Sequence, residues 1–176
     1  MKKAIFGLLA MFFISVGCEK EENSLENFLI EVGGELKAKG INADGNVWRV
    51  GIDKPSEEID FQNRFQFILD LKDKALATSG NYRKFYVRDG VKYAHTINPK
   101  TGFPSQNRLL SVTVVTSDCS LADAYATAFM VMGYETAKKH VLQRQDLKID
   151  LMSKTSEAFR FDFVNKNNFP SENKKI

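Results

Sequence analysis

The sequence predicts an α+β fold, a mainly antiparallel sheet with helices on one side. Three observations carry this. Short segments that alternate apolar and polar residues recur from Phe28 onward, separated by glycine, aspartate and asparagine. Over residues 121–143 the period lengthens to that of a helix, interrupted at Gly133. Alternation then returns over residues 147–152 and 159–163, bringing the chain back to the sheet.

Taken in order, Phe28–Val32 is a strand running into Gly33-Gly34, and residues 46–52 alternate in the same way. Ala43-Asp44-Gly45 is turn material between these two, which are expected to pair as a hairpin. Phe65–Leu71 has the same β-forming content. Residues 84–88 and 91–95 flank Asp89-Gly90, the strongest short-range hairpin signal in the chain. Leu109–Thr116 is a further strand, mostly β-branched. A helix is expected over residues 121–132 with Ser120 as its cap, and a second over residues 134–143. Trp48 and the phenylalanines are assigned to the core. The chain shows neither repeats nor a low-complexity linker.

Charge narrows the function. Lys plus Arg number 25 and Asp plus Glu 22, a net +3 spread along 176 residues, which is no nucleic-acid footprint. At the N-terminus, Met1-Lys2-Lys3 is followed by an apolar run over residues 4–16, too short to span a bilayer. The run stops at Gly17-Cys18, and Glu19-Lys20-Glu21-Glu22 switches polarity at once. This pattern reads as a lipoprotein signal over residues 1–17, a lipidated Cys18, a tether over 18–24, a folded part over 25–164 and a polar tail over 165–176. An ordinary signal peptide with an incidental cysteine, or a buried apolar helix, are the alternatives. The lipoprotein reading puts the protein at the cell envelope, anchored to a membrane and facing the periplasm or the exterior. Cys119 is then left without an intramolecular disulfide partner, so stability must come from a packed core.

Three stretches place polar residues and glycines where packing does not demand them: residues 78–83, 95–104 and 117–127. Asp123 and Thr127 are four apart on the expected helix, with Cβ atoms about 6 Å apart on one face. A carboxylate and a hydroxyl there suit a hard cation such as Mg²⁺ when phosphate oxygens complete its shell. The competing reading is a capping box from Ser120 to Asp123. His95 stands at a strand end before a loop stiffened by Pro99 and Pro104, where it could serve as acid, base or phosphate donor, or simply bond to backbone. His140, among Lys138, Lys139 and Arg144, is expected to face solvent.

In order and spacing, several stretches together resemble the ApbE family, the FAD:protein FMN transferases. They are Glu31-Val32-Gly33-Gly34-Glu35, residues 48–52 with Pro55, Ser79-Gly80-Asn81-Tyr82, His95-Thr96-Ile97-Asn98-Pro99-Lys100-Thr101-Gly102, Ser111-Val112-Thr113-Val114, and Ala122-Asp123 with Ala126-Thr127. The resemblance implies an ApbE-like fold of the alpha-beta roll type, of which this chain matches the C-terminal half. The other half of the family's length would carry a motif resembling Asp-Leu-Gly-Gly-Ile-Ala-Lys-Gly, and without it sheet edges and apolar surface would be exposed. By the same resemblance Asp123 and Thr127 are Mg²⁺ ligands, Ile97 lies against FAD, and His95 belongs to the active site. The implied activity moves FMN from FAD onto a threonine hydroxyl of a target flavoprotein, releasing AMP. Implied targets are subunits of membrane electron-transport complexes. A catalytically impaired remnant, a flavin-binding lipoprotein, or an FAD pyrophosphatase are the alternatives.

Overall fold

The most β-branched segment, Leu109–Thr116, is buried along nearly its whole length, because it lies inside a sheet covered on both faces. A computed structural model describes residues 25–56, 60–83, 85–144, 146–154 and 159–164. The expected signal over 1–17, Cys18, the tether and the polar tail over 165–176 lie outside the described residues. Along the described chain come β1 (Phe28–Val32), β2 (Glu35–Lys39), β3 (Trp48–Asp53), β4 (Phe65–Leu71), β5 (Ala75–Gly80), β6 (Phe85–Arg88) and β7 (Val91–Ala94). β8 (Leu109–Thr116), α1 (Cys119–Met132), α2 (Tyr134–Leu142), β9 (Lys148–Lys154) and β10 (Phe159–Val164) complete it.

A six-stranded sheet in the order β1-β2-β5-β8-β9-β10 forms the frame, and each neighbouring pair is antiparallel. The expected α+β arrangement therefore holds, with both helices on one face. Beside this frame, β3–β4 and β6–β7 are separate two-stranded sheets. One core lies between the helices and the sheet, where Phe129, Met130 and Val141 meet Val112, Ile149 and Leu151. A second fills the opposite face, where Leu69, Leu71 and Ile52 of the β3–β4 hairpin meet Leu76, Val115 and Met152. Alternation along β8 serves both, sending Val114 to one core and Val115 to the other.

The pairing of β1 differs from expectation. Gly33-Gly34 makes a two-residue turn, so β1 pairs with β2 in the register Val32↔Glu35 to Phe28↔Lys39. β3 is left to pair with β4. Closing a two-residue loop is cheaper in chain entropy than closing the longer one through residues 43–45. The Asp89-Gly90 hairpin forms as expected; both turn residues have positive φ, 52° and 75°, which suits the twist of a two-residue hairpin. Trp48 is half-buried against the second core and its indole N–H donates to the Lys39 carbonyl at 3.0 Å. Phe61 and Phe103 depart from the core assignment and are exposed.

His140 also departs from expectation. It is half-buried, with its ring 5.8 Å from that of Phe129, because α2 turns this face toward α1 rather than to water. Cys119 is free, and its thiol donates to the Leu36 carbonyl at 3.3 Å. Among the described residues, no helix is long and apolar enough to cross a membrane.

Candidate active site

The site is assembled where α1 lies across β5 and β8. Ala122 and Ala126, both fully buried, let the helix backbone approach the sheet closely. Their sequence neighbours Asp123 and Thr127 flank that buried stripe and remain exposed. The approach brings the Thr127 hydroxyl within 3.0 Å of the Ser79 hydroxyl on β5. The start of α1 is fixed by Asp118, not by the expected Ser120. The Asp118 carboxylate accepts from the backbone N–H of Ser120 at 2.9 Å and of Leu121 at 3.3 Å. Asp123 is thereby relieved of the capping role that competed with metal binding.

β5 itself was not foreseen as a strand, yet it carries Thr78, Ser79 and Gly80 into the middle of the sheet. Asn81 prolongs it: its backbone N–H donates to the Leu110 carbonyl and its side-chain amide to the Leu109 carbonyl, both at 2.9 Å. At Gly80 a Cβ would stand 2.7 Å from the Tyr82 ring and 3.3 Å from the Leu110 carbonyl, so a side chain there would expel Tyr82. Burial pushes the Tyr82 phenol above its ordinary pKa, with Arg83 acting in the opposite direction.

His95 follows β7 directly and opens a tightly folded loop. The Asn98 side chain accepts from the Lys100 N–H at 2.9 Å, its carbonyl accepts from the Gly102 N–H at 2.8 Å, and Ile97 bridges to Pro104. Beyond this loop, Ser105 and Asn107 donate to the Met130 carbonyl at 3.2 and 2.7 Å, fastening the segment to the last turn of α1. The far end of the loop is thus fastened to α1, while its near end continues the separate β6–β7 hairpin.

One cavity of about 510 Å³ collects the result. Asp123, Thr127, His95 and Ile97, drawn from a helix and a loop far apart in sequence, all line it. Ser79, Gly80, Tyr82, Gly33 and Glu35 from the resembling stretches line it too, together with Thr78, Arg83 and Thr96. Every expected site residue within the described chain is therefore brought to one place. Asp123 and Thr127 are the pair a hard cation would select, supplying a carboxylate and a hydroxyl oxygen beside open space for water or phosphate oxygens. Among the described residues, no three His, Cys, Asp or Glu side chains converge as a metal cluster. Two residues close to the site carry no signal in the sequence: Asp53, which accepts from Arg83, and Arg64, which donates to the same carboxylate once β3 and β4 have folded together.

The likeness to known proteins covers the same ground. A structure of the flavin transferase ApbE from Vibrio cholerae matches with a TM-score of 0.70 at 41% identity, over 82% of this chain and 44% of that one. The apo form of the Pseudomonas stutzeri flavinyl transferase ApbE gives 0.67 at 31% identity, over 81% and 43%. In sequence, the FAD:protein FMN transferase of Vibrio cholerae serotype O1 is 41% identical over 140 residues, 80% of this chain and 41% of the relative. That of Escherichia coli strain K12 is 37% identical over 140 residues, 80% and 39% respectively. The chain thus spans about two fifths of the length of the curated relatives it matches. The ApbE family profile matches residues 19–151, a stretch that includes every lining residue of the cavity, and on this ground the chain belongs to the ApbE family.

Proposed function

We propose that this chain carries part of a flavin-transfer site, moving the FMN portion of FAD onto a threonine hydroxyl of a target flavoprotein with release of AMP. The observation that carries this is the convergence of Asp123, Thr127, His95 and Ile97 on one cavity, in a chain whose relatives are named FAD:protein FMN transferase. In this reaction the acceptor oxygen bonds to the phosphorus of the FMN half, the phosphoanhydride bond breaks, and AMP leaves with the electron pair. Asp123 and Thr127 would hold Mg²⁺, which when bound supplies positive charge against the diphosphate. Ile97, half-exposed on the loop, offers an apolar contact to the flavin. His95, exposed on the same cavity, stands where it can take the hydroxyl proton. Glu35 lines the cavity as a second carboxylate, and Ser79 fixes the Thr127 hydroxyl.

The test is to incubate the chain with FAD, Mg²⁺ and a flavoprotein acceptor domain and to weigh the acceptor. An added FMN mass is the expected result; its absence beside a working full-length relative would remove the proposal. AMP released without any acceptor would instead assign FAD hydrolysis. The proposed targets are subunits of membrane electron-transport complexes, and the proposed location is the envelope, through a lipid on Cys18. The run over residues 4–16 ending at Gly17-Cys18 supports that location. Labelled palmitate should enter the protein in cells and be lost in Cys18→Ser; equal labelling of the variant would exclude the anchor.

A further inference from the structure

A second cavity of about 350 Å³ adjoins the first. The two share Thr78, Tyr82 and Arg83 as a common wall. Its polar part is built by three side chains from three segments. Asp53 ends β3, Arg64 immediately precedes β4, and Arg83 follows β5. A register shift between Ile52 and Asp53 turns this end of the hairpin out of the regular ladder. The Asp53 carboxylate then accepts from Arg64 Nε on one oxygen and from Arg83 Nη1 on the other, each at 2.8 Å.

This arrangement exceeds what a structural tie requires. One carboxylate can balance one guanidinium, so the cluster keeps a net positive charge. Each guanidinium has five N–H donors, and the contact to Asp53 uses one of each. Arg83 also lies over the Tyr82 ring, its Cζ 5.2 Å from the ring centroid, so it is oriented before any ligand arrives. Its side chain is one-third exposed while that of Asp53 is 15% exposed, which leaves the carboxylate behind and the cation facing the cavity. Among the described residues, Glu31 is the other carboxylate on this cavity, but it is exposed on β1, where water and salt screen it. The first cavity has the opposite character, with Glu35 and Asp123 as its carboxylates. Arg83 stands on the wall between the two.

We infer that Arg83, supported by Arg64 and oriented by Asp53 and Tyr82, is an anion subsite that takes phosphate oxygens of a diphosphate-bearing ligand. The inference rests on the flavin-transfer reading only for the identity of that ligand, FAD. Planar guanidinium groups match phosphate oxygens two at a time, which a lone lysine cannot do. Within the proposed reaction Arg83 positions and neutralises the diphosphate while no bond forms or breaks on it.

Titration calorimetry on the chain in EDTA, with inorganic pyrophosphate, AMP and riboflavin as separate probes, tests this without any metal at Asp123 and Thr127. Pyrophosphate and AMP should bind, and bind more weakly as salt rises. Arg83→Gln should weaken both about ten- to hundredfold, the worth of a charged hydrogen bond, while riboflavin affinity stays unchanged. Arg83→Lys should retain part of the affinity, and Asp53→Asn should retain most of it because the cations remain. Lack of pyrophosphate uptake by the unaltered chain would overturn the inference, as would uptake indifferent to Arg83→Gln. Parallel loss of pyrophosphate and riboflavin in Arg83→Gln and Asp53→Asn would assign the cluster to fold maintenance instead. Pyrophosphate binding through Arg83, with neither riboflavin nor FAD bound even after Mg²⁺ is restored in excess, would uphold the subsite and remove the flavin-transfer reading.

Discussion

Asp118 and Asp123 sit near the start of the same helix under different constraints. Asp118 accepts from two backbone N–H groups and from the Ser120 hydroxyl at 2.6 Å, and the Ser120 side-chain bond is the main reason its carboxyl is held below the ordinary value. A carboxyl whose pKa is lower folded than unfolded stabilises the fold above the unfolded value, about 3.9, and loses that contribution as pH falls through the folded value. Asp118→Ala should therefore lower the melting temperature at neutral pH, and the gap from the unaltered protein should narrow as pH drops below about 4. Asp123→Ala should leave the melting temperature nearly unchanged while abolishing Mg²⁺-dependent activity. Melts recorded from acid to neutral pH separate the two. A loss of stability in Asp123→Ala as large as in Asp118→Ala would return Asp123 to a capping role.

At the scale of elements, legibility depended on how local the deciding interaction was. β8 could be read from its β-branched run, the β6–β7 hairpin from Asp89-Gly90, and α2 from the break at Gly133, because each signal lies within the element it specifies. β2 and β5 lacked such a signal. Glu35-Leu36-Lys37-Ala38-Lys39 is rich in charge, and Thr78-Ser79-Gly80 is polar and flexible; β2 becomes a strand through pairing with β1 and β5, and β5 through pairing with β2 and β8. The cap of α1 was missed for a related reason, since Asp118 and Ser120 are both good caps and only the backbone angles at Asp118, φ −132° and ψ 138°, decide between them. The residues that line the first cavity were more legible than the pairing around them. Asp123, Thr127, His95 and Ile97 lie in short motifs whose spacing survives without knowledge of the sheet. Asp53 and Arg64 do not, because the contact that unites them with Arg83 spans 30 residues on one side and only 11 on the other.

For the whole molecule, the six-stranded sheet is the wall shared by two cores, and that sharing makes a claim about cooperativity. Phe129 fills the helical side and Leu69 the hairpin side, and both are fully buried. Truncating Phe129 to alanine should cost about 3–5 kcal/mol and truncating Leu69 about 2–5 kcal/mol, from lost transfer energy and the cavities left behind. Each is a large share of the roughly 5–15 kcal/mol that holds a typical domain. The two side chains belong to different clusters on opposite faces, so in the double variant the losses should add to within about 0.5 kcal/mol. Since Val114 and Val115 of one strand serve the two cores in turn, neither layer can melt while the other keeps β8 ordered. Urea unfolding followed by Trp48 fluorescence, on the hairpin side, and by far-ultraviolet circular dichroism, weighted to the helices, should therefore give coincident transitions in both single variants. A Leu69→Ala protein in which the tryptophan signal melts first would show that β3–β4 is a detachable layer, and with it the Asp53 and Arg64 end of the second cavity.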